Sequence, residues 1–280
     1  AVGPRIAALA GALGVAVMAV GALPGRAGPL DDGGGPGLAT TLQRELAATG
    51  RAVLVLPGEP TEPARMAAGR MPAFGDDDLA PVNTGNSVAR IAVGLAAPER
   101  VRTAVADAAA AGVLFVVTPD APTRAAISEA AGNLVADAPS TTDGRPVLRL
   151  QPAAGQVTLL SPEQARRAIT GSPPPTELGA PGIVPVDARP PAVAVRVSDG
   201  PSGRLLVIAA EEEPGWLATV DGRQVPVVRA WGHLVGVPIG ARAGEVRVEQ
   251  PTALRSVLLL VQAAMVLFVL LTAIPSRRPR

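Results

Sequence analysis

The chain of 280 residues has no cysteine, no tyrosine and no lysine, and only 2% of its residues are aromatic. Without cysteine, this chain has no disulfide bond, no thiolate nucleophile and no cysteine-based metal site. The single histidine, His233, excludes a zinc site built from several histidines of this chain. The sequence therefore predicts no cofactor and no metal site.

An excess of charge of either sign is also missing. The 25 basic residues are balanced by 24 acidic ones, and the formal net charge is +1. Nucleic-acid binding depends on a basic field and often on aromatic stacking platforms, and this composition supplies neither. We expect no nucleic-acid partner, and a core built from aliphatic side chains.

Two long runs without a charge lie near the two ends of the chain, at residues 6–23 and 256–274. A membrane-spanning helix needs about 20 predominantly apolar residues, so each run is interpreted as a transmembrane helix. The first run has an alternative interpretation as a secretory signal peptide, but it is long for the apolar part of one.

The second run is followed by residues 275–280, which include Arg277, Arg278 and Arg280. Positively charged residues favour the cytoplasmic side of a membrane, so this basic tail is expected inside. If both runs span the bilayer, everything between them lies outside. The sequence thus predicts a multi-pass cell-membrane protein with extracytoplasmic central domains and a cytoplasmic C-terminus.

Between the runs, residues 24–37 form a glycine-rich linker. Residues 38–155 alternate short apolar strands with helices such as ERVRTAVADAAAAG, which predicts a small α/β layer with some parallel pairing. Residues 156–191 are interpreted as a connector, with a short helix that begins at Ser161-Pro162-Glu163 and a stretch crowded with proline at 171–191. An antiparallel β-sandwich is predicted for residues 192–251 by six short strands: AVAVRV, RLLVIAAE, WLATVDG, QVPVVRA, HLVGVPI and EVRVEQ. The expected fold class is α+β, membrane-anchored, with the α/β layer and the sandwich flanked by two transmembrane helices.

The segment EPGWLATVDGRQV within the sandwich contains Asp221 and Gly222 between two alternating runs, a strong signal for a tight hairpin. Trp216 and Trp231 lie on either side of this turn. They could pack in a core, stack on a sugar or form an interface with another part of the protein. Under the sugar-binding interpretation, Trp216, Trp231, Asp221 and His233 are the glycan-binding candidates.

The segment EEEPGWLATVDGRQVPVVRAWGHLVGVPIGARAGEVRVEQ, just before the second apolar run, resembles the C-terminal end of large actinobacterial membrane proteins of the family 2 glycosyltransferase type. Its PGW…VDG hairpin is also similar to the extracytoplasmic region of bacterial YfhO-type membrane proteins. Upstream, RAVLVLPG, GDDDLAP and ERVRTAVADAAAAGVLFVV occur in the matching order, so the resemblance covers nearly the whole chain.

This resemblance implies a role in cell-envelope glycan assembly, with nucleotide- or polyprenyl-linked sugars as donors. In that family the transferase chemistry belongs to a cytoplasmic N-terminal domain. The chain is therefore expected to be a non-catalytic extracytoplasmic portion, in contact with the bilayer and with an acceptor glycan or neighbouring membrane proteins. The alternative is a structural or assembly module that binds protein partners rather than sugar.

Two acidic runs have the residue types of catalytic sites. Asp76, Asp77 and Asp78 contain the Asp-x-Asp spacing with which a family 2 transferase holds a divalent metal, but no buried strand is predicted before them. Glu211, Glu212 and Glu213 contain carboxylates like those of glycoside hydrolases, but neighbours on a strand point to opposite faces. Both runs are interpreted as solvated, and no catalytic set is predicted.

Overall fold

The computed structural model describes residues 37–59, 62–68, 84–151, 154–190, 192–250 and 260–267. Those between 37 and 250 belong to one compact unit, and 260–267 belong to another. The apolar run 6–23 and the Asp76–Asp78 motif lie outside the described residues, and the run 256–274 is described only at 260–267. No helix in the described ranges has both the length and the apolar character needed to cross a membrane.

The compact unit combines helices with three β-sheets. Its described helices are α1 (Thr40–Thr49), α2 (Thr84–Ala96), α3 (Val101–Ala110), α4 (Ala121–Ala131) and α5 (Pro162–Ile169). Its described strands are β1 (Ala52–Val55), β2 (Arg65–Ala68), β3 (Val113–Val117), β4 (Val135–Ala138), β5 (Val147–Leu150), β6 (Val157–Leu160), β7 (Ile183–Val186), β8 (Val193–Val197), β9 (Arg204–Glu211), β10 (Leu217–Val220), β11 (Arg223–Val225), β12 (Val228–Ala230), β13 (Leu234–Ile239) and β14 (Gly244–Glu249).

The α/β part is a five-stranded sheet, in the order β2-β1-β3-β5-β4, with helices on both faces. β1 and β3 are parallel, which confirms the parallel pairing expected from the strand–helix alternation, and the other pairs are antiparallel. Helix α1 covers one face through Leu42 and Leu46, whereas α2, α3 and α4 cover the other. Strand β3 is consequently buried along its whole length, as expected of a strand covered on both faces.

The sandwich is antiparallel, as expected. One of its sheets has the order β11-β10-β14-β8, and the other, termed here the central sheet, has the order β12-β13-β9-β6-β7. The two sheets pack through aliphatic side chains that include Val195, Leu206, Ile208, Val237 and Val246. Side chains of successive residues on a strand point to opposite faces, so Leu205 and Val207 of β9 belong to a different cluster, with α5 and the end of α3.

The structure differs from the expected connector at residues 156–191. This stretch contributes β6, α5 and β7, and β6 lies inside the central sheet between β9 and β7. Its prolines are compatible with regular structure: Pro162 stands in the first turn of α5, and Pro185 lies on the edge strand β7. The high proline content of this stretch led to the prediction of a linker. The stretch instead forms part of the sandwich.

Proline also divides a segment expected as one strand. The run QVPVVRA forms β11, which pairs with β10, and then β12, which pairs with β13 in the central sheet. Pro226 lies between the two strands and has no N–H to donate to a ladder, so the chain leaves one sheet there and enters the other. Residues 192–250 thus contain seven strands rather than six.

The two parts of the unit are joined by direct contacts rather than by a free linker. Gln156 donates a hydrogen bond of 2.6 Å to the carbonyl of Gly50, and Arg51 donates one of 2.9 Å to the carbonyl of Ala154. Ala110, at the end of α3, packs in the cluster beneath the central sheet. The α/β part and the sandwich are therefore held in a fixed relation.

Candidate functional site

The two tryptophans lie on opposite faces of the central sheet. Trp216 is half-buried, packs against the core between the two sheets of the sandwich, and donates from Nε1 to the carbonyl of Glu211 at 3.0 Å. Trp231 is only 5% exposed and packs in the other cluster, and its backbone N–H donates to the carbonyl of Ala168 at 2.9 Å. The two rings therefore do not form one platform.

Asp221 forms the hairpin turn that the Asp-Gly pair predicts. Its φ is 50° and that of Gly222 is 75°, both in the left-handed region that this type of turn requires. The Asp221 carboxylate accepts a 2.8 Å hydrogen bond from the N–H of Glu245, and its own N–H donates to the Glu245 carbonyl at 2.9 Å. Asp221 thus fastens the turn to β14.

His233 lies in the turn between β12 and β13 and is 8% exposed. Its Nδ1 is 3.0 Å from Nη2 of Arg90 and 3.1 Å from the carbonyl oxygen of Trp231. A guanidinium can only donate and a carbonyl oxygen can only accept, so the contact with Arg90 requires Nδ1 as an acceptor and the contact with Trp231 requires it as a donor. Nε2 is buried without a hydrogen-bond partner within the described ranges.

Arg90 connects His233 to a carboxylate of the α/β part. Its Nη1 lies 3.3 Å from Oδ2 of Asp107, which is carried by α3. Helices α2 and α3 approach closely enough for this pair because Gly94 faces Ala104; a Cβ on Gly94 would lie 2.8 Å from the Ala104 Cβ.

A second contact joins the same two parts, because Ser87 of α2 donates from Oγ to Oε1 of Glu211 at the end of β9. Together, Ser87, Arg90, Asp107, Glu211 and His233 are called the polar cluster. It links α2 and α3 to β9 and to the β12–β13 turn. Of the four glycan-binding candidates, His233 is a member of this cluster, Trp216 and Trp231 each contact a member through a main-chain carbonyl, and Asp221 is bonded to β14 instead.

Burial dominates the electrostatics of the polar cluster. It raises the pKa of the Asp107 carboxyl, an effect opposed by the charge of Arg90. It also raises the pKa of Glu211, opposed by the hydrogen bond from Ser87. For His233, burial lowers the pKa, because it disfavours the charged imidazolium. The neutral form of each of these three groups is therefore favoured relative to the same group in water.

The described contacts of the polar cluster join the α/β part to the sandwich. Ser87 bonds to Glu211, and Arg90 lies between His233 and Asp107. The neighbouring Glu212 is engaged elsewhere, in a 2.6 Å ion pair with Arg229. Within the described ranges, no group of three or more acidic or histidine side chains is placed to hold a metal ion.

Ser87 and Arg90 were not recognised from the sequence, because residues 58–97 have an irregular pattern with scattered proline. Asp107 lies in the expected helix ERVRTAVADAAAAG but was not singled out there. The segment TGNSVARIAVGLA nevertheless forms α2, with Val88, Ile91 and Leu95 on its buried side. That spacing of three and four residues was the available signal for a helix. Nothing in the sequence indicates that the polar residues of this helix meet a strand more than 100 positions away.

Comparisons of the chain with models of protein families, with curated proteins and with solved structures found no match. The likeness to glycosyltransferase-like membrane proteins therefore rests on the sequence motifs alone. Support for any function has to come from the geometry and exposure of the residues themselves.

Proposed function

We propose that this chain is the non-catalytic extracytoplasmic part of a membrane glycosyltransferase-like protein that acts in cell-envelope glycan assembly. The observation that carries the proposal is the helix at residues 260–267, LVQAAMVL, in which every residue is exposed. Leu260 is 70% and Met265 is 65% exposed. Apolar surface of this extent is unfavourable in water, so the helix requires a cover of lipid or protein.

The sequence around this helix favours lipid. Residues 256–274 contain no charge, and a helix that is apolar on all sides is typical of a membrane span. The arginines at residues 277, 278 and 280 favour the cytoplasm for the end of the chain. The compact unit that precedes the run is then on the extracytoplasmic side.

The polar cluster supports a non-catalytic role for the folded unit. Its charged and polar groups are used to join two parts of the unit to each other. Such a joint keeps the α/β part and the sandwich in one orientation, which suits a module that presents a fixed surface to a glycan or to a neighbouring protein.

The second candidate is a structural or assembly module that binds protein partners rather than sugar. The placement of the tryptophans favours it, because Trp231 is buried and the Nε1 of Trp216 is engaged with the main chain. Burial of Trp231 opposes the stacking on a pyranose that the sugar-binding interpretation assigned to it, whereas Trp216 is half-buried. The two candidates share one membrane topology and differ only in the ligand.

The topology can be tested with single cysteines, since the chain has none of its own. We expect Val184→Cys, at a side chain 57% exposed on β7, to react with a membrane-impermeant maleimide in intact protoplasts. Ser276→Cys, in the basic tail, should react only after permeabilisation. Leu206→Cys is the matched control, because this buried position should react only after denaturation.

Reaction of Ser276→Cys in intact protoplasts, or of Val184→Cys only after permeabilisation, would contradict the proposed orientation. Release of the whole chain from membranes by alkaline carbonate would contradict membrane anchoring itself.

A further inference from the structure

An open groove of about 650 Å³ is lined by α3, α5 and the loop that leads to β7. Thr103 of α3 lines one side, Gln164 and Arg167 of α5 line another, and residues 173–177 and 180–182 complete it. Sites for small ligands have volumes of about 300–1,000 Å³, so the groove is large enough for one. None of the glycan-binding candidates from the sequence lines it.

The walls of the groove are held in place without a ligand. Three consecutive prolines, at 173, 174 and 175, restrict φ along one wall. Arg102 donates to the carbonyl of Thr176 at 3.1 Å and to that of Ala131 at 2.8 Å, which ties this wall to α4. Gln164 donates to the carbonyl of Pro181 at 3.2 Å on the opposite wall. Because the walls are already ordered, ligand binding would cost little conformational entropy of the protein at this site.

The charged residues that line the groove disfavour the binding of anions. Glu163 and Glu177 contribute two negative charges and Arg167 one positive charge, so the charged lining residues carry one net negative charge. A phosphate, a nucleotide or an acidic peptide would meet two carboxylates there, and such like-charge contacts oppose binding.

The same lining suits a neutral ligand rich in hydroxyl groups. Carboxylate and guanidinium groups each make paired hydrogen bonds, a geometry that matches two adjacent hydroxyls. Ser161 and Thr176 add hydroxyls that both donate and accept. The prolyl rings offer aliphatic surface against which the C–H face of a pyranose can pack. A peptide would instead use a strand edge or deep apolar pockets, and no strand residue lines the groove.

From these contacts we propose that the groove between α3 and α5 binds a neutral oligosaccharide. The inference rests on the proposed function and deepens it, because it assigns the glycan contact to this groove instead of to the two tryptophans.

The structure also supplies a reporter for the groove. Pro174 and Pro175 also line a second cavity, of about 20 Å³, together with Trp231. The proline wall is thus shared by the groove and by the cavity at Trp231. A ligand that presses on this wall changes the surroundings of the indole, and the cavity leaves space for the wall to move.

The experiment uses the full chain in detergent micelles and the variant Trp216→Phe, which leaves Trp231 as the only tryptophan in a chain without tyrosine. The probes are neutral trisaccharides of glucose, mannose and N-acetylglucosamine, with a neutral proline-rich peptide as the competing ligand class. We expect a saturable change in Trp231 emission with at least one trisaccharide and none with the peptide. Saturation-transfer NMR on the unsubstituted chain repeats the test without the Trp216 substitution.

Arg167→Ala should weaken the apparent affinity about tenfold, the loss expected for one paired charge-assisted hydrogen bond. Arg166→Ala is the matched control, because Arg166 lies on the same helix and is exposed but does not line the groove. Both substitutions remove one positive charge, so a nonspecific effect of charge would affect them equally.

The groove proposal is overturned if no trisaccharide gives a saturable signal by either method, if only the peptide binds, or if the two arginine variants lose affinity equally. These results are independent of the cysteine labelling. If the cysteines react as expected but no saccharide binds, only the groove proposal is wrong. If a saccharide binds but the cysteines react in the opposite pattern, the proposed membrane role is wrong and the saccharide site in the groove stands.

Discussion

The two faces of the central sheet are buried in different ways. One face packs on the four-stranded sheet mainly through aliphatic side chains, among them Leu206 and Ile208. The other face packs on α5 and the end of α3, and the polar cluster lies where this part of the sheet meets α2 and α3. The first face provides non-directional hydrophobic stability, whereas hydrogen bonds and charges beside the second face specify the position of the α/β part.

The largest effect should come from the aliphatic face. Leu206→Ala is expected to lower the free energy of unfolding by about 2–5 kcal/mol, because it leaves a cavity between two hydrogen-bonded sheets. The neighbouring Leu205→Ala removes the same atoms from the other face. Its effect should be smaller, since the short helix α5 can shift into the space. Denaturation by urea, followed by tryptophan emission, measures both values.

A larger loss for Leu205→Ala than for Leu206→Ala would show that α5 is held as rigidly as the four-stranded sheet. The assigned difference between the two faces would then be incorrect.

The next effect concerns the polar cluster. Arg90→Met should lower the free energy of unfolding by about 1–3 kcal/mol, since it leaves the buried Asp107 carboxylate without its cation. Asp107→Asn should cost less or be neutral, because burial already disfavours the ionised carboxyl and raises its pKa. Arg90, whose side chain is 51% exposed, keeps contact with water in that variant. Urea denaturation at neutral pH compares the two, and equal losses would contradict burial as the dominant effect on Asp107.

The sequence predicts those elements of the structure that depend on residues close together in the chain. The alternation in AVAVRV and EVRVEQ is visible in one strand at a time, so β8 and β14 were expected where they occur. The Asp-Gly pair likewise predicts its turn from local conformational preference alone. Each of these features depends on neighbours in the sequence.

The polar cluster and the groove depend on residues that are far apart in the sequence. Ser87 and Glu211, which form a hydrogen bond, are 124 positions apart. Strand β6 was missed for a related reason: Val157, Thr158 and Leu160 are all buried, so the strand shows no alternation, and proline nearby indicated a linker. The packing partners of such residues are set by the fold as a whole.

A smaller effect is expected at the hairpin, which belongs to the four-stranded sheet. Asp221→Ala should lower the free energy of unfolding by about 1 kcal/mol, because the N–H of Glu245 loses its acceptor. Asp221→Asn should retain most of the stability, since asparagine accepts the same hydrogen bond and tolerates a positive φ. The two variants are compared by urea denaturation, and a larger loss for Asn than for Ala would refute the role assigned to this carboxylate.

The smallest effect should be the pH dependence, because the groups of the polar cluster act in opposite directions. Burial lowers the pKa of His233 below its ordinary 6.5, so its contribution to stability is present above pH 6.5 and is lost as the pH falls through the folded pKa. Burial raises the pKa of Glu211 above its ordinary 4.5, so its contribution is present below pH 4.5 and is lost as the pH rises through the folded pKa. In the unsubstituted chain the two trends partly cancel.

Single substitutions should separate these trends. Relative to the unsubstituted chain, His233→Gln should gain stability as the pH falls from above 6.5 into the range between 6.5 and 4.5, because glutamine takes up no proton. Glu211→Gln keeps an acceptor for Ser87 and should gain relative stability in the opposite direction, as the pH rises above 4.5. Urea midpoints measured from below pH 4.5 to above pH 6.5 give the two slopes. Leu206→Ala should show no change in slope, because leucine carries no titratable group. An equal slope in all three variants would mean that burial of the polar cluster does not govern the response to pH.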